Sequence, residues 1–156
     1  MSSTGCPVTK LAYYFGGLIM LNLLVRSMSS ASKGSASKTI ERFGVAKSGR
    51  FSESIRVNGM VYTSGQVGKG ATIQEAARMA LADLDHALAL AGVNKTRVVS
   101  VNVYLKDIKA HYSGMNEVYD AWVQEGGQGP PCRATVQAAL ADTDWLVEFS
   151  AIAAEE

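Results

Sequence analysis

Apolar and polar residues alternate along several short segments in the second two-thirds of the chain, as they do in half-buried strands. Residues 51–57 and 60–64 flank Asn58-Gly59, and both of these turn residues tolerate the positive φ angles of a two-residue hairpin. The two segments are therefore predicted to form a β-hairpin. Residues 65–70, which are rich in glycine, predict a tight loop after it.

Two later segments have helical spacing instead. Thr72 and Glu75 have the spacing of a capping box, which predicts a helix that begins directly after Thr72. The apolar face of this helix comprises Ile73, Ala77, Ala80, Leu81, Leu84, Leu88 and Ala91, and Gly92 suits the position beyond its C-terminal cap. A second helix is predicted over roughly residues 110–123, with an apolar face of Tyr112, Met115, Tyr119 and Trp122.

Three more strands complete the pattern. Residues 98–105 alternate, and residues 133–140 and 145–153 lie on either side of a turn at 141–144. The order strand, strand, helix, strand, helix, strand, strand predicts an α+β fold, a mostly antiparallel sheet with both helices on one face. Residues 48–156 are predicted to form a single domain.

Residues 1–47 differ from this pattern and are predicted to be a targeting or disordered segment. The apolar run at 11–25 contains glycines and is too short for a firm transmembrane assignment. No acidic residue precedes Glu41, and serine and basic residues are frequent, which favours a mitochondrial presequence. Two alternatives stay open: a secretory signal, or translation from Met28 to give a cytoplasmic protein.

The composition narrows the classes of function. The chain has 156 residues, of which 47% are hydrophobic and 19% charged, as in a globular protein. A net charge of +1 provides no broad positive surface for nucleic acid. Cys6 and Cys132 are the only cysteines, and His86 and His111 are not spaced with them as metal ligands. The sequence therefore predicts neither a disulfide framework nor a metal site.

Arg133 is the most informative residue, because it places a charge in an otherwise apolar strand pattern. A buried guanidinium must meet an acid, a carboxylate ligand or solvent, and its planar fork suits a small carboxylate. Glu148 lies in the following strand, and the two side chains would share a face if these strands were antiparallel neighbours. Two interpretations follow: a structural ion pair, or a site with a carboxylate anchor beside a general acid/base.

Five motifs in the same order resemble the Rid (reactive intermediate deaminase) family, also called YjgF. They are Ser64-Gly65-Gln66, Tyr104-Leu105-Lys106-Asp107, Met115-Asn116-Glu117-Val118-Tyr119, Pro131-Cys132-Arg133 and Val147-Glu148-Phe149-Ser150-Ala151-Ile152-Ala153. The segments at 120–123 and 133–138 are most similar to the YoaB-like branch. The resemblance covers nearly all of the predicted domain.

This resemblance implies a chorismate-mutase-like fold and a homotrimer with an active site in the cleft at each subunit interface. It also implies a 2-iminobutanoate/2-iminopropanoate deaminase, which hydrolyses enamines and imines such as 2-aminoacrylate to 2-keto acids and ammonia. No cofactor or metal is implied, and no stable membrane association of the mature domain is expected. Two other functions stay open: an RNA-binding or endoribonuclease-like protein, and a non-catalytic trimer that binds small acids or acts as a scaffold.

The resemblance also implies roles for individual residues. Arg133 would bind the substrate carboxylate, and Glu148 would orient the attacking water and move its proton. Gly65, Cys132, Asn116, Phe51 and Thr135 would complete the substrate-binding site, with Phe51 at a position where many family members carry tyrosine.

Overall fold

Residues 39–155 are described by the computed structural model of this chain, and they contain seven strands and two α-helices. The strands are β1 (Glu41–Val45), β2 (Ser52–Val57), β3 (Met60–Thr63), β4 (Gln66–Lys69), β5 (Val98–Leu105), β6 (Cys132–Gln137) and β7 (Trp145–Ala154). The helices are α1 (Ile73–Leu90) and α2 (Ile108–Gly126), and a 3₁₀ turn at Lys95–Arg97 leads into β5. The predicted order of elements is confirmed, with two additional strands.

All seven strands form one sheet in the order β1-β2-β3-β7-β5-β6, and β4 also pairs with β7. The long strand β7 lies at the centre: β3 pairs with its C-terminal half and β4 with its N-terminal half. Every pairing is antiparallel except that of β5 with β6, which is parallel. The predicted α+β class with a mostly antiparallel sheet is therefore confirmed.

Both helices pack on the same face of this sheet. The side chains of alternate β7 residues, such as Val147 and Phe149, are buried in one core with Leu84 and Leu88 of α1. From α2, the Tyr119 ring stacks on Phe149 at a centroid distance of 6.3 Å. Alternation along the strands leaves the other set of side chains on a face that no described helix covers.

The predicted capping box at the start of α1 is confirmed. The Glu75 amide donates to Thr72 Oγ1 at 3.2 Å, and the Glu75 carboxylate accepts from the Thr72 amide at 3.3 Å. The helix ends at the Ala91 cap, and Gly92 follows with a φ of 79°, a left-handed conformation that glycine adopts without strain.

Replacing Thr72 by alanine is expected to lower the free energy of unfolding by about 1 kcal/mol, because an amide at the helix start loses its acceptor. Urea denaturation at a fixed protein concentration measures the change. Thr143→Ala is the matched control, since Thr143 is exposed in the loop before β7, and it should cost less than about 0.5 kcal/mol. Equal losses in the two variants would contradict a capping role for Thr72.

The second helix begins earlier than its apolar spacing predicts. Asp107 is its N-cap and accepts from the amides of Lys109 and Ala110 at 2.9 and 3.0 Å. These hydrogen bonds, chiefly that from Ala110, hold the pKa of the Asp107 carboxyl below its ordinary value. The predicted boundary near residue 110 is therefore too late, because the first turn of α2 is recognised by its cap and not by its apolar face.

The predicted glycine-rich loop at residues 65–70 is wrong, because Gln66–Lys69 is strand β4. None of the glycines in this segment has a positive φ. A Cβ on Gly68 would overlap the carbonyl group of Ala76 in α1, so this glycine lets the helix approach the strand closely. Glycine here indicates close packing and not a turn.

The folded region also begins earlier than predicted. Strand β1, Glu41–Val45, pairs with β2 and so belongs to the sheet, although it precedes the boundary predicted at residue 48. The predicted targeting role of the N-terminal segment concerns mainly residues 1–38, which lie outside the described residues. Strand β6 ends at Gln137, three residues before the predicted end at 140.

Candidate active site

Arg133 lies on strand β6, and its side chain contacts three uncharged residues of α2. Its Nη1 donates to Asn116 Oδ1 at 2.8 Å, and its Nη2 lies 3.5 Å from the Tyr112 hydroxyl. The guanidinium carbon stands 4.7 Å from the centre of the Tyr119 ring, a cation–π contact. The helix therefore holds the guanidinium through three uncharged side chains and supplies no carboxylate to it.

The interpretation of Arg133 as half of a structural ion pair is wrong. Within residues 39–155, no carboxylate oxygen lies within the 4.0 Å of an ion pair with this guanidinium. The side chain is only partly buried, so its charge faces solvent on one side. Arg133 has more N–H donors than its two hydrogen bonds use, and the charge of an anion would complete the arrangement.

Glu148 lies on the opposite face of the sheet from Arg133. Arg133 pairs with Val101 of β5, and Val101 pairs with Ala151 of β7. Paired residues point to the same side of a sheet, so Arg133 lies on the helix-covered face with Ala151. Glu148 is an odd number of residues from Ala151 on β7, so its side chain points the other way. The expectation that Arg133 and Glu148 share a face is therefore wrong: β5 separates their strands, and β6 runs parallel to β5.

Gly65 and Glu148 lie directly against each other on the uncovered side. A Cβ on Gly65 would overlap the Glu148 carboxylate, so only glycine leaves that carboxylate in its position. The neighbouring Gln66 is buried, and its amide nitrogen lies 3.1 Å from the Ser64 hydroxyl and 3.3 Å from Glu53 Oε2. This network holds the start of β4 where Gly65 meets Glu148.

The other predicted site residues do not all lie together: some lie beside Arg133, and others lie on the opposite sheet face or on another strand. Asn116 contacts Arg133. Thr135 follows two residues later on the same face of β6, and its buried hydroxyl has no partner in residues 39–155. Cys132 is exposed, and alternation places its side chain on the other face. Phe51 is 51% exposed before β2, a strand that β3, β7 and β5 separate from β6.

Two residues at the site were assigned to packing by their helical spacing. Tyr112 and Tyr119 both contact the Arg133 guanidinium, and with Asn116 they occupy positions i, i+4 and i+7 along α2. Tyr119 packs in the core as predicted and is only 4% exposed, and its ring also contacts the Arg133 guanidinium. Burial raises the pKa of the Tyr119 phenol, so this ring stays neutral beneath the positive charge.

Residues 39–155 contain neither a group of possible metal ligands nor a helix that could span a membrane. Nowhere in residues 39–155 are three or more His, Cys, Asp or Glu side chains grouped so that they could hold a metal ion. The helices in the same region are too short or too polar for a bilayer-spanning segment.

Residues 42–155 match the family described as Endoribonuclease L-PSP. A RutC family protein of Haemophilus influenzae is 38% identical over 119 residues, which are 74% of this chain and 97% of that protein. RutC family protein YoaB of Escherichia coli is 34% identical over 64% of this chain and 85% of its own length. The chain therefore belongs to the L-PSP family, for which Rid and YjgF are further names.

Two other relatives carry more specific names. The 2-iminobutanoate/2-iminopropanoate deaminase of Capra hircus is 33% identical over 69% of this chain and 81% of that protein. Protein mmf2 of Schizosaccharomyces pombe, named as mitochondrial, is 33% identical over 69% of this chain and 89% of its own length.

Solved structures show the same fold. A YjgF family member from Neisseria meningitidis has a TM-score of 0.69 and 38% identity, over 76% of this chain and 96% of that one. TdcF of E. coli, solved with bound serine, has a TM-score of 0.66 and 28% identity, over 76% of this chain and 99% of its own. The fold of this chain is the YjgF fold.

Proposed function

We propose that this protein is an enamine/imine deaminase that hydrolyses 2-imino acids, and their 2-amino-enoic tautomers, to 2-keto acids and ammonia. The observation that carries the proposal is the Arg133 guanidinium, which is oriented by uncharged partners and has no acid beside it. Such a group suits the carboxylate that these substrates share. The relationship to the named goat deaminase supports the same reaction.

We further propose that each active site combines two subunits of a homotrimer. The side chains of Arg133 and Glu148 extend from opposite faces of one sheet. A single chain therefore does not bring both of them to the same substrate. The sheet face that carries Glu148 also exposes large side chains, including Tyr62 (42% exposed) and Val136 (47% exposed). A neighbouring copy packed on this face would bury them and bring its own Arg133 towards Glu148.

The chemistry demands positioning more than covalent catalysis. Arg133 holds the carboxylate, and a water oxygen adds to C2 of the imine while Glu148 accepts the proton that this water loses. The imine nitrogen takes a proton from solvent in the same addition and becomes the amino group of a tetrahedral adduct. Glu148 then gives its proton to that nitrogen as the C2–N bond breaks, and the adduct hydroxyl releases its proton to solvent as the C2 carbonyl forms. Ammonia and a 2-keto acid are released, and Glu148 is regenerated.

Gly65 has a supporting role in this scheme. Because it has no side chain, the Glu148 carboxylate can occupy its position directly against the Gly65 backbone, and that backbone can approach a bound water or substrate closely. We also propose a mitochondrial location, supported by the acid-free, serine-rich N-terminal segment and by the relative mmf2. Bacterial relatives such as YoaB make a cytoplasmic protein the alternative.

Glu148→Gln provides the test of the reaction. A threonine dehydratase in excess supplies the enamine, and the rate of 2-oxobutanoate formation above the spontaneous rate is the activity. The substitution should lower kcat about 100-fold, because glutamine keeps the shape but cannot accept the proton. KM should change little, since Arg133 still binds the carboxylate.

Asp83→Asn is the matched control, because it removes one carboxylate charge from the exposed side of α1. It should retain wild-type activity. A wild-type protein that adds nothing to the spontaneous rate would refute the deaminase. If that protein still bound 2-oxobutanoate, a non-catalytic acid-binding trimer would replace the proposal, whereas RNA binding without any binding of keto acid would favour the nucleic-acid alternative.

A further inference from the structure

Tyr112 is placed to contact whatever Arg133 binds. It lies in the first turns of α2 and is 43% exposed, so its ring forms part of the surface beside the guanidinium. Its hydroxyl oxygen is 3.5 Å from Arg133 Nη2 and faces an N–H donor there. A phenol that accepts a hydrogen bond still has its own proton to donate. Within the described region that proton has no acceptor.

The geometry around Arg133 restricts how a ligand can approach. The Tyr119 ring lies against the guanidinium, with its centre 4.7 Å from the guanidinium carbon, and Asn116 accepts from one N–H of Nη1. A planar carboxylate lying in the guanidinium plane can use the N–H groups that these contacts leave free. Its position beside Nη2 also puts it within reach of the Tyr112 hydroxyl, because that hydroxyl lies next to the same nitrogen.

We propose that Tyr112 is a substrate-binding residue whose hydroxyl donates to the carboxylate held by Arg133. Arg133 and Tyr112 then both donate hydrogen bonds to the carboxylate, from two directions. Both interactions require a ligand group that accepts hydrogen bonds. This assignment rests on the proposed use of Arg133 as the carboxylate anchor. Tyr112 adds selectivity for the carboxylate over a neutral group of similar shape, since the ligand must accept from both side chains at once.

The test is the affinity of the full-length protein for 2-oxobutanoate, measured by calorimetry. Tyr112→Phe removes only the hydroxyl and should weaken binding about tenfold, the effect of one hydrogen bond to a charged group. Ser113→Ala is the matched control, because it removes an exposed hydroxyl from the next residue of α2. It should bind as the wild type does. The melting temperature of each variant separates a binding effect from a loss of folding.

The outcomes distinguish this inference from the proposed function. If the wild type binds 2-oxobutanoate, Arg133→Ala does not, and Tyr112→Phe binds within about twofold of the wild type, Tyr112 is only a packing residue and the anchor role of Arg133 stands. If the wild type itself fails to bind, the proposed function falls first. A tenfold loss in Tyr112→Phe with an unchanged melting temperature supports the inference.

Discussion

Replacing Arg133 by alanine is expected to weaken binding of 2-oxobutanoate at least about 100-fold, because two charge-assisted hydrogen bonds to the carboxylate are lost together. Enamine hydrolysis should fall to the spontaneous rate over the same range of substrate concentration. Calorimetry and the dehydratase-coupled assay measure these two effects. The melting temperature should change little, since the structure gives Arg133 no acidic partner whose charge would be left buried and unpaired.

Two further variants sharpen this prediction. Arg133→Lys keeps the charge but lacks the planar fork, so it should recover only part of the affinity and bind roughly tenfold more weakly than the wild type. Arg78→Ala is the matched control, because Arg78 is an exposed arginine on α1 and none of the three side chains that contact Arg133 belongs to that helix. Full binding by Arg133→Ala would show that another group anchors the carboxylate.

Mixed trimers of Arg133→Ala and Glu148→Gln subunits are expected to recover activity that neither variant has alone. In the proposed homotrimer, each site would take Arg133 from one subunit and Glu148 from its neighbour. Any trimer that contains both variants then has one intact site of the three, so its activity should be about one third of that of the wild type. Co-expression with two different affinity tags and purification on both isolates these mixed trimers.

The control pairs Arg133→Ala with a subunit that carries both substitutions. No site in such a trimer has Arg133, so no activity should return. Failure of the first mixture to recover would show that a single chain supplies both residues, against the opposite faces that the sheet register assigns to them. If no species carrying both tags can be isolated, the homotrimer itself is contradicted.

Most of the fold could be predicted from local patterns. The capping box at Thr72 located the start of α1 to the residue, and Asn58-Gly59 located the hairpin between β2 and β3. These signals are short-range, because each depends on backbone groups a few residues apart. Strand β4 was missed because Gly68 within it and Gly65 before it allow close contacts with α1 and Glu148, and no local pattern reports such contacts.

Part of the arrangement around Arg133 could be anticipated from the sequence. The sequence singled out Arg133 and Asn116 as candidate site residues, and the structure brings their side chains into contact. The contacts of Tyr119 and Tyr112 with Arg133 were missed. The i, i+4, i+7 spacing of Tyr112, Asn116 and Tyr119 was nevertheless visible in the sequence. Aromatic residues at helical spacing usually indicate a core, and only a partner on another element shows that they also hold a charge.

The sequence by itself determined that this protein has a YjgF-type α+β domain, because periodicity, caps and motifs are properties of neighbouring residues. The tertiary structure alone decided which face each residue occupies. Inserting β5 between β6 and β7 separated Arg133 from Glu148, since pairing register is set by contacts between distant segments. That separation is the physical reason to place the complete site between subunits.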